Sequence, residues 1–147
     1  MIMAQSLLYQ IRQHSDTRGS LLYNNDFNFK DVKRFYHIKL PEKGIIRAFH
    51  GHMIEKKYAY ILRGEIKIVI VPLTDIDRPA KDIEIQTYSL NASNPQILTI
   101  PPKNANGIMS LSKNSEIIFY STLSLEDSQK DDYRFPEDYW GDAIWKK

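Results

Sequence analysis

Short runs of Ile, Val, Tyr, Phe and Thr recur along the chain, and Gly or Pro residues separate them at close intervals. Apolar and polar residues alternate within several runs, which is the period of two expected for a β-strand. No window of helical length before the C-terminal region has an apolar stripe with a period of 3.6 residues. Strands are predicted over Ser6–Gln13, Val32–Leu40, Lys57–Leu62, Glu65–Val71, Ile83–Leu90 and Ser115–Leu123. Many short strands with regular turns predict an all-β sandwich or barrel.

Two further features of the sequence predict a turn and a C-terminal tail. Arg63-Gly64 separates two apolar runs and predicts a hairpin in which Gly64 takes a positive φ. Residues 126–147 are polar, acidic and aromatic, so we expect a partly helical tail that packs over the barrel, with Trp140 and Trp145 as its anchors. The length of 147 residues predicts one domain over residues 1–147.

Composition excludes several classes of function. The chain has no cysteine, so disulfides and thiolate metal sites are impossible. The net charge of +2 is too small to indicate nucleic-acid binding. The longest apolar runs are too short to cross a membrane, and the N-terminus does not resemble a signal peptide, so a cytoplasmic location is predicted.

The stretch from Gly44 to Gly64 has the highest density of candidate catalytic residues. His50 and His52 lie two positions apart in a segment with strand character, so both imidazoles are predicted to face the same side. Arg47 and Lys57 lie close by in the sequence. A cluster of titratable groups on a rigid strand is typical of an active site.

The spacing of Gly44, His50 and His52 resembles the first motif of the cupin superfamily, which implies a double-stranded β-helix, or cupin jelly-roll barrel. Metal-binding cupins have a Glu separated from the second His by three or four intervening residues, which are the positions of Lys56 and Lys57 in this chain; on a regular strand the nearby Glu55 would face the opposite side. The histidine of the second cupin motif corresponds here to Asn106. Ammonium groups repel a cation, so no metal is predicted.

A narrower resemblance is carried by spaced motifs over about four-fifths of the chain. In order, they are D-x-R-G at Asp16–Gly19, R-x-x-H at Arg47–His50, Lys57 seven residues before Gly64, I-P-x-x-x-A-x-G at Ile100–Gly107, and Tyr120 on a late strand. This set resembles the dTDP-4-dehydrorhamnose 3,5-epimerase family. The dTDP-sugar 3,4-ketoisomerases and the WxcM-like proteins are similar through R-x-x-H-x-H and a late D-Y-x-R-like segment.

The resemblance implies an isomerase that removes a proton next to the carbonyl of a nucleotide-linked 4-keto-deoxysugar, in surface polysaccharide biosynthesis and without a cofactor. It implies His50 as the base, Lys57 as the stabiliser of the enolate oxygen and Tyr120 as the acid. His52 would share the work of His50, as in the ketoisomerases. The substrate would be bound by Arg18, Tyr36, Arg47 and Asn106.

The epimerases pair their catalytic histidine with a late aspartate, for which Asp142 is the nearest candidate here. Two alternatives stay open at this point: a non-catalytic cupin that binds a sugar or nucleotide sugar, and a metal-dependent cupin, which Lys56, Lys57 and Asn106 disfavour. The resemblance also implies a homodimer in which the N-terminal strand, residues 1–14, joins the sheet of the partner.

Overall fold

The computed structural model describes residues 7–146, and strands dominate that range. Their bounds are Leu7–Gln10 (β1), Arg12–Asp16 (β2), Gly19–Tyr23 (β3), Arg34–Leu40 (β4), Ile46–His52 (β5), Lys57–Arg63 (β6), Glu65–Pro72 (β7), Gln86–Asn91 (β8), Gln96–Ile100 (β9), Asn104–Ser110 (β10), Ser115–Ser121 (β11) and Tyr133–Arg134 (β12). A short helix, α1, spans Leu125–Gln129, and a 3-10 turn spans Ala143–Trp145.

The strands form two five-stranded sheets, in the orders β1-β9-β6-β11-β4 and β12-β5-β10-β7-β8, while β2 and β3 form a separate hairpin. Neighbouring strands in the two large sheets run antiparallel. The predicted all-β jelly-roll barrel is confirmed. Gly64 closes the β6–β7 hairpin with a φ of 74°, as the sequence predicted.

The main apolar core lies between the two sheets, because alternate residues of each strand point inward. Fully buried aliphatic side chains from both sheets fill it, and each contributes about 1.5–3 kcal/mol to stability relative to exposure. They include Ile61, Ile66, Ile68, Leu98 and Ile117. This packing closes one end of the barrel and leaves polar side chains at the other.

A second core lies on the outer face of the β5-β10-β7 surface, where the C-terminal tail covers it. Phe49 packs against Trp140 and Trp145, with ring centroids 4.9 and 5.5 Å away. The indole of Trp140 donates a 3.0 Å hydrogen bond to the carbonyl of Ala80. The two tryptophans therefore anchor the tail, as predicted, and the tail is partly helical.

The N-terminal region differs from the single strand predicted over Ser6–Gln13. The chain turns at Ile11, whose N–H donates to the Pro95 carbonyl, so that β1 pairs with β9 and β2 pairs with β3. Residues 1–6 of the predicted N-terminal strand and Lys147 of the tail lie outside the described residues. Neither helix in the described range has the length and apolarity needed to span a membrane.

Candidate active site

A pocket of about 330 Å³ opens at the polar end of the barrel. Both large sheets, α1 and the segment that follows it contribute to its walls. The polar and aromatic residues of the lining are Arg34, Tyr36, Arg47, His50, His52, Lys57, Asn106, Phe119, Ser128, Gln129, Asp132 and Arg134. Six of the eight predicted site residues are therefore brought together; Arg18 and Tyr120 lie elsewhere.

A bulge in β5 places Arg47 and His50 on the same side, although residues three apart on a regular strand face opposite sides. Arg47 lies opposite Ile108 and His50 lies opposite Asn106, so two residues of β5 oppose the single Gly107 of β10. A Cβ atom at position 107 would lie 2.5 Å from Cβ of Ala48. Glycine is required here because the bulged strand approaches the β10 backbone so closely.

His50 is the histidine whose side chain is open to the pocket, with about one third of its surface exposed. Its Nδ1 lies 3.8 Å from Oδ1 of Asp132, and no hydrogen bond or ion pair within residues 7–146 involves its Nε2. Burial, followed by the positive charge of Lys57, lowers the pKa of His50. The neutral imidazole is thus favoured near neutral pH, which is the form a general base needs.

Asp132, rather than Asp142, is the carboxylate beside His50. Strand β12 pairs with β5, with Arg134 opposite His50, and this pairing brings the preceding Asp132 to the pocket. Asp142 is exposed and precedes the 3-10 turn in the tail on the outer face. The expectation for Asp142 was wrong because it relied on proximity to the C-terminus, whereas the strand pairing selects the partner.

Both ring nitrogens of His52 face protein groups. Nδ1 lies 2.6 Å from the carbonyl oxygen of Asp131, and because a carbonyl only accepts, Nδ1 carries the hydrogen. Nε2 lies 3.2 Å from Oε2 of Glu55. Burial and Lys57 lower the pKa of His52, while Glu55 and the Asp131 carbonyl act in the opposite direction. His52 therefore borders the pocket without a nitrogen open to it.

Glu55 is a fully buried carboxylate that faces into this site, contrary to the expectation of an opposite-facing side chain. The chain leaves β5 at His52, and the carboxylate of Asp131 accepts hydrogen bonds from three successive N–H groups, those of Met53, Ile54 and Glu55. This turn redirects Glu55 inward. A period-of-two argument missed it because residues 53–56 are not part of a strand.

Polar groups surround the Glu55 carboxylate. Its Oε1 accepts hydrogen bonds from the hydroxyls of Ser121 at 2.6 Å and Ser128 at 2.8 Å. Its Oε2 lies 3.6 Å from Nζ of Lys57. Burial alone would raise the pKa of Glu55, but Lys57 and the two hydroxyls outweigh it and hold the pKa below its ordinary value. Glu55 is therefore ionised at neutral pH.

Lys57 and Tyr36 form the wall next to this carboxylate. The ring of Tyr36 stacks on Phe119 at a centroid distance of 5.4 Å, and Nζ of Lys57 lies 5.7 Å from the Tyr36 ring. Asn106 is buried beside them and donates a 3.4 Å hydrogen bond to the carbonyl of His50. Arg47 is exposed at the rim and has no ion-pair partner among residues 7–146.

Tyr120 and Arg18 are not in this pocket. Successive residues of β11 face opposite sides, so Phe119 points into the barrel and Tyr120 points outward, 5.0 Å from the ring of Phe29. Burial raises the pKa of Tyr120, which keeps its hydroxyl neutral. Arg18 lies in the turn of the β2–β3 hairpin, where its exposed guanidinium pairs with Asp16 at 2.6 Å.

The described residues contain no group of three or more His, Asp and Glu side chains arranged to hold a metal ion. A metal ion held by His52 and Glu55 would lie next to the ammonium group of Lys57, which repels cations and cannot act as a ligand. The expectation of no metal stays a prediction.

Comparison with known proteins identifies the family of this chain. A family model described as dTDP-4-dehydrorhamnose 3,5-epimerase matches residues 2–138. The chain belongs to this family. The sequence-based assignment is thereby confirmed, and with it the prediction that the protein is an enzyme of the sugar epimerase and isomerase class.

Three similar proteins illustrate the range of the relatives. SpsL, a spore coat polysaccharide biosynthesis protein of Bacillus subtilis, is 26% identical over 132 residues, which cover 88% of this chain and 86% of SpsL. The Mycobacterium tuberculosis rmlC epimerase superposes with a TM-score of 0.74 at 16% identity, over 97% of this chain and 72% of that one. The 3,4-ketoisomerase QdtA of Thermoanaerobacterium thermosaccharolyticum, solved with TDP, gives 0.70 at 20% identity, over 95% and 94%.

Proposed function

We propose that this protein is an isomerase that acts on a nucleotide-linked 4-keto-deoxysugar, by epimerisation or migration of the keto group, in the biosynthesis of a surface polysaccharide. The observation that carries this proposal is the pairing of a neutral His50, with Asp132 behind it, and a buried Lys57 within one pocket. The family membership and the similarity to SpsL support the class of reaction and its setting.

The chemistry follows from what the reaction requires. A proton next to a ketone is too weakly acidic for an unaided base, so the site must also stabilise the enolate oxygen. In our proposal Nε2 of His50 accepts the proton from carbon, and the bond electrons move onto the carbonyl oxygen, which faces the Lys57 ammonium. Protein groups supply both functions, so we predict that no cofactor is needed.

Return of the proton decides the product. Delivery to the opposite face of the same carbon gives an epimer. Delivery to the former carbonyl carbon moves the ketone, when the neighbouring hydroxyl transfers its proton to the former carbonyl oxygen and becomes the new carbonyl. The proposal assigns the donor role to Tyr36, in place of Tyr120, because Tyr36 is the tyrosine on the pocket side of the sheet. Tyr36 lies on the sheet opposite the one that carries His50, which supports delivery of a proton from the other side.

The anionic part of the substrate would lie at the rim. Arg47 is exposed there without an ion-pair partner in the described range, and a guanidinium makes bidentate contacts with phosphate oxygens. Asn106 would contact the sugar from the pocket floor. The structure of QdtA with TDP supports a nucleotide-linked ligand. Arg18 is remote from the pocket of its own chain, so we propose no contact between Arg18 and a substrate bound in that pocket.

Solvent deuterium exchange tests the proposal. Incubated in D₂O with dTDP-4-keto-6-deoxyglucose, the wild type should introduce deuterium next to the ketone. His50→Asn should lower the rate by about 100-fold or more, because it removes the base, and should retain binding of TDP. His37→Asn is a matched control, since His37 pairs with Glu116 outside the pocket.

Binding of TDP without exchange into any of a panel of 4-keto sugars would contradict catalysis and would favour a sugar-nucleotide binding protein. Loss of exchange in both histidine variants would show that the effect is structural.

We also propose that the protein is one cytoplasmic domain that forms a homodimer. The support for the dimer is a group of exposed leucines on the N-terminal strands, two on the edge strand β1 and two on β3. These are Leu7, Leu8, Leu21 and Leu22. Exchange of the N-terminal strand between subunits stays a prediction, because β1 pairs with β9 of the same chain.

A further inference from the structure

Glu55 is a buried carboxylate for which the proposed reaction has no step. Its side chain has no exposed surface, and five polar residues from five elements of the chain surround it. They are Arg34, His52, Lys57, Ser121 and Ser128. A buried ionised group is costly even when it is paired, so a carboxylate held among these groups indicates that its charge is used.

The two oxygens of Glu55 have different surroundings. Oε1 accepts the hydrogen bonds from Ser121 and Ser128, and Nη2 of Arg34 lies 3.5 Å away. Oε2 is buried and makes no hydrogen bond within the described chain, and the same is true of Nε2 of His52 beside it. The cation that faces Oε2 is therefore the ammonium of Lys57, at 3.6 Å.

Lys57 needs such a partner. Its side chain is only 8% exposed, and among residues 7–146 Glu55 supplies the carboxylate within 4 Å of Nζ. An ammonium buried without a counter-ion loses its proton, and a neutral amine stabilises an enolate oxygen far less than an ammonium does. The proposed reaction needs the positive charge of Lys57, and Glu55 is the group that stabilises this charge.

We propose that Glu55 is a positioning residue that keeps Lys57 protonated and holds its Nζ at the pocket wall, where negative charge develops during enolisation. This inference rests on the proposed function for its catalytic consequence. The link between Glu55 and Lys57 itself can be tested without substrate.

Several other charged or titratable groups face the pair, and none of them replaces Glu55. Arg34 adds positive charge, His50 and His52 are neutral at neutral pH, and Tyr36 presents its ring. The carboxylate of Asp131 is bound to three N–H groups of the 53–55 turn. Asp132 lines the same pocket and pairs with His50 and Arg134. Removal of the Glu55 charge therefore leaves Lys57 without a carboxylate within 4 Å of its Nζ in the described chain.

The Glu55→Gln variant tests the link directly. Glutamine keeps an acceptor for Ser121 and Ser128 but removes the charge. Lys57 should then lose its proton at a pH lower by about one unit or more, measured by NMR titration of its side-chain ammonium signal, which a Lys57→Arg variant identifies. The signals of the other lysines should not move. An unchanged Lys57 titration would overturn the proposal.

The activity readout separates a charge effect from a structural one. In Glu55→Gln, kcat should fall by about 10- to 100-fold with little change in KM, and the alkaline limb of the kcat profile should move to lower pH together with the Lys57 titration. Ser128→Ala removes a hydrogen bond to the same carboxylate and keeps its charge, so that limb should stay in place. Glu116→Gln, which removes a carboxylate paired with His37 and Arg63, is the matched control.

A second variant covers a failure of Glu55→Gln to fold. Glu55→Asp keeps the charge and withdraws it from Nζ by one methylene, so the Lys57 titration should move to lower pH by less than one unit, and no movement would contradict the link. If the wild type shows no exchange with any 4-keto sugar, the proposed function fails, while the NMR titration still decides whether Glu55 sets the charge of Lys57.

Discussion

At the scale of single residues, the site depends on which atoms of two neighbouring histidines are engaged. Both nitrogens of His52 face protein groups, whereas Nε2 of His50 has no partner in the described chain. Two histidines that look equivalent in the sequence thus have different capacities for proton transfer. The proposed base is His50, because its second nitrogen is the one that faces the pocket.

The role of Asp132 can be tested through the pH dependence of activity. Burial and Lys57 lower the pKa of His50, and Asp132 acts against them. Asp132→Asn removes that opposing charge, so the pKa of His50 should fall further. The acid limb of kcat/KM, below which His50 is protonated and inactive, should move to lower pH, and kcat should decrease because the base is weaker.

The matched control is Asp142→Asn, since Asp142 is exposed and remote from the pocket. A shift of the acid limb in Asp142→Asn, and none in Asp132→Asn, would contradict the pairing described here.

At the scale of elements, the segment after α1 completes the site. The backbone carbonyl of Asp131 accepts a hydrogen bond from His52, and strand β12 pairs with β5. The carboxylate of Asp131 accepts hydrogen bonds from the N–H groups of three successive residues, at 2.8–2.9 Å. The sharp bend between β5 and β6, and with it the inward direction of Glu55, depends on this one buried side chain.

We therefore expect Asp131→Ala to lower the free energy of unfolding by about 3 kcal/mol or more, because each buried N–H left without an acceptor costs about 1–3 kcal/mol. Urea denaturation measures the change, and activity should fall as the bend loosens. Asp127→Ala, on the exposed surface of α1, should cost less than about 1 kcal/mol. Equal losses in the two variants would show that the Asp131 hydrogen bonds do not support the bend.

At the scale of the whole molecule, the two sheets create the pocket and the N-terminal elements create an exposed apolar surface. Strand β1 is the edge of its sheet, and Leu7, its first residue, is 54% exposed. Leu21, on the β2–β3 hairpin, is 62% exposed. An edge strand that itself carries exposed leucines is a surface suited to pairing with a second copy.

Light scattering after size-exclusion chromatography should therefore give twice the mass of one chain. The double variant Leu7→Lys and Leu21→Lys should shift the protein toward the monomer, because charged side chains would be buried at the interface. Ile54→Lys, at an exposed apolar residue far from the N-terminal elements in sequence, should leave the mass unchanged. A monomeric wild type would remove the proposal of a homodimer.

The sequence by itself determined the parts of this protein that depend on local periodicity and local conformation. Alternation of apolar residues predicted the strands and the all-β barrel, Gly64 predicted the β6–β7 turn, and the tryptophans predicted the anchored tail. Spaced motifs identified the family. A strand period and a turn are properties of a few neighbouring residues, so they can be read without the fold.

Only the tertiary structure decided which side chains meet in the pocket. The family resemblance predicted Tyr120 in the site, but Phe119 lies there instead. The period of two could not correct this prediction, because it tells which residues share a face but not which face points inward. The side on which Arg47 lies depends on a bulge set by Gly107 in another strand. Glu55 and Asp132 enter the site through a bend and a strand pairing between segments more than 75 residues apart in sequence. Long-range contacts of this kind depend on the closed barrel, because no local pattern brings such groups together.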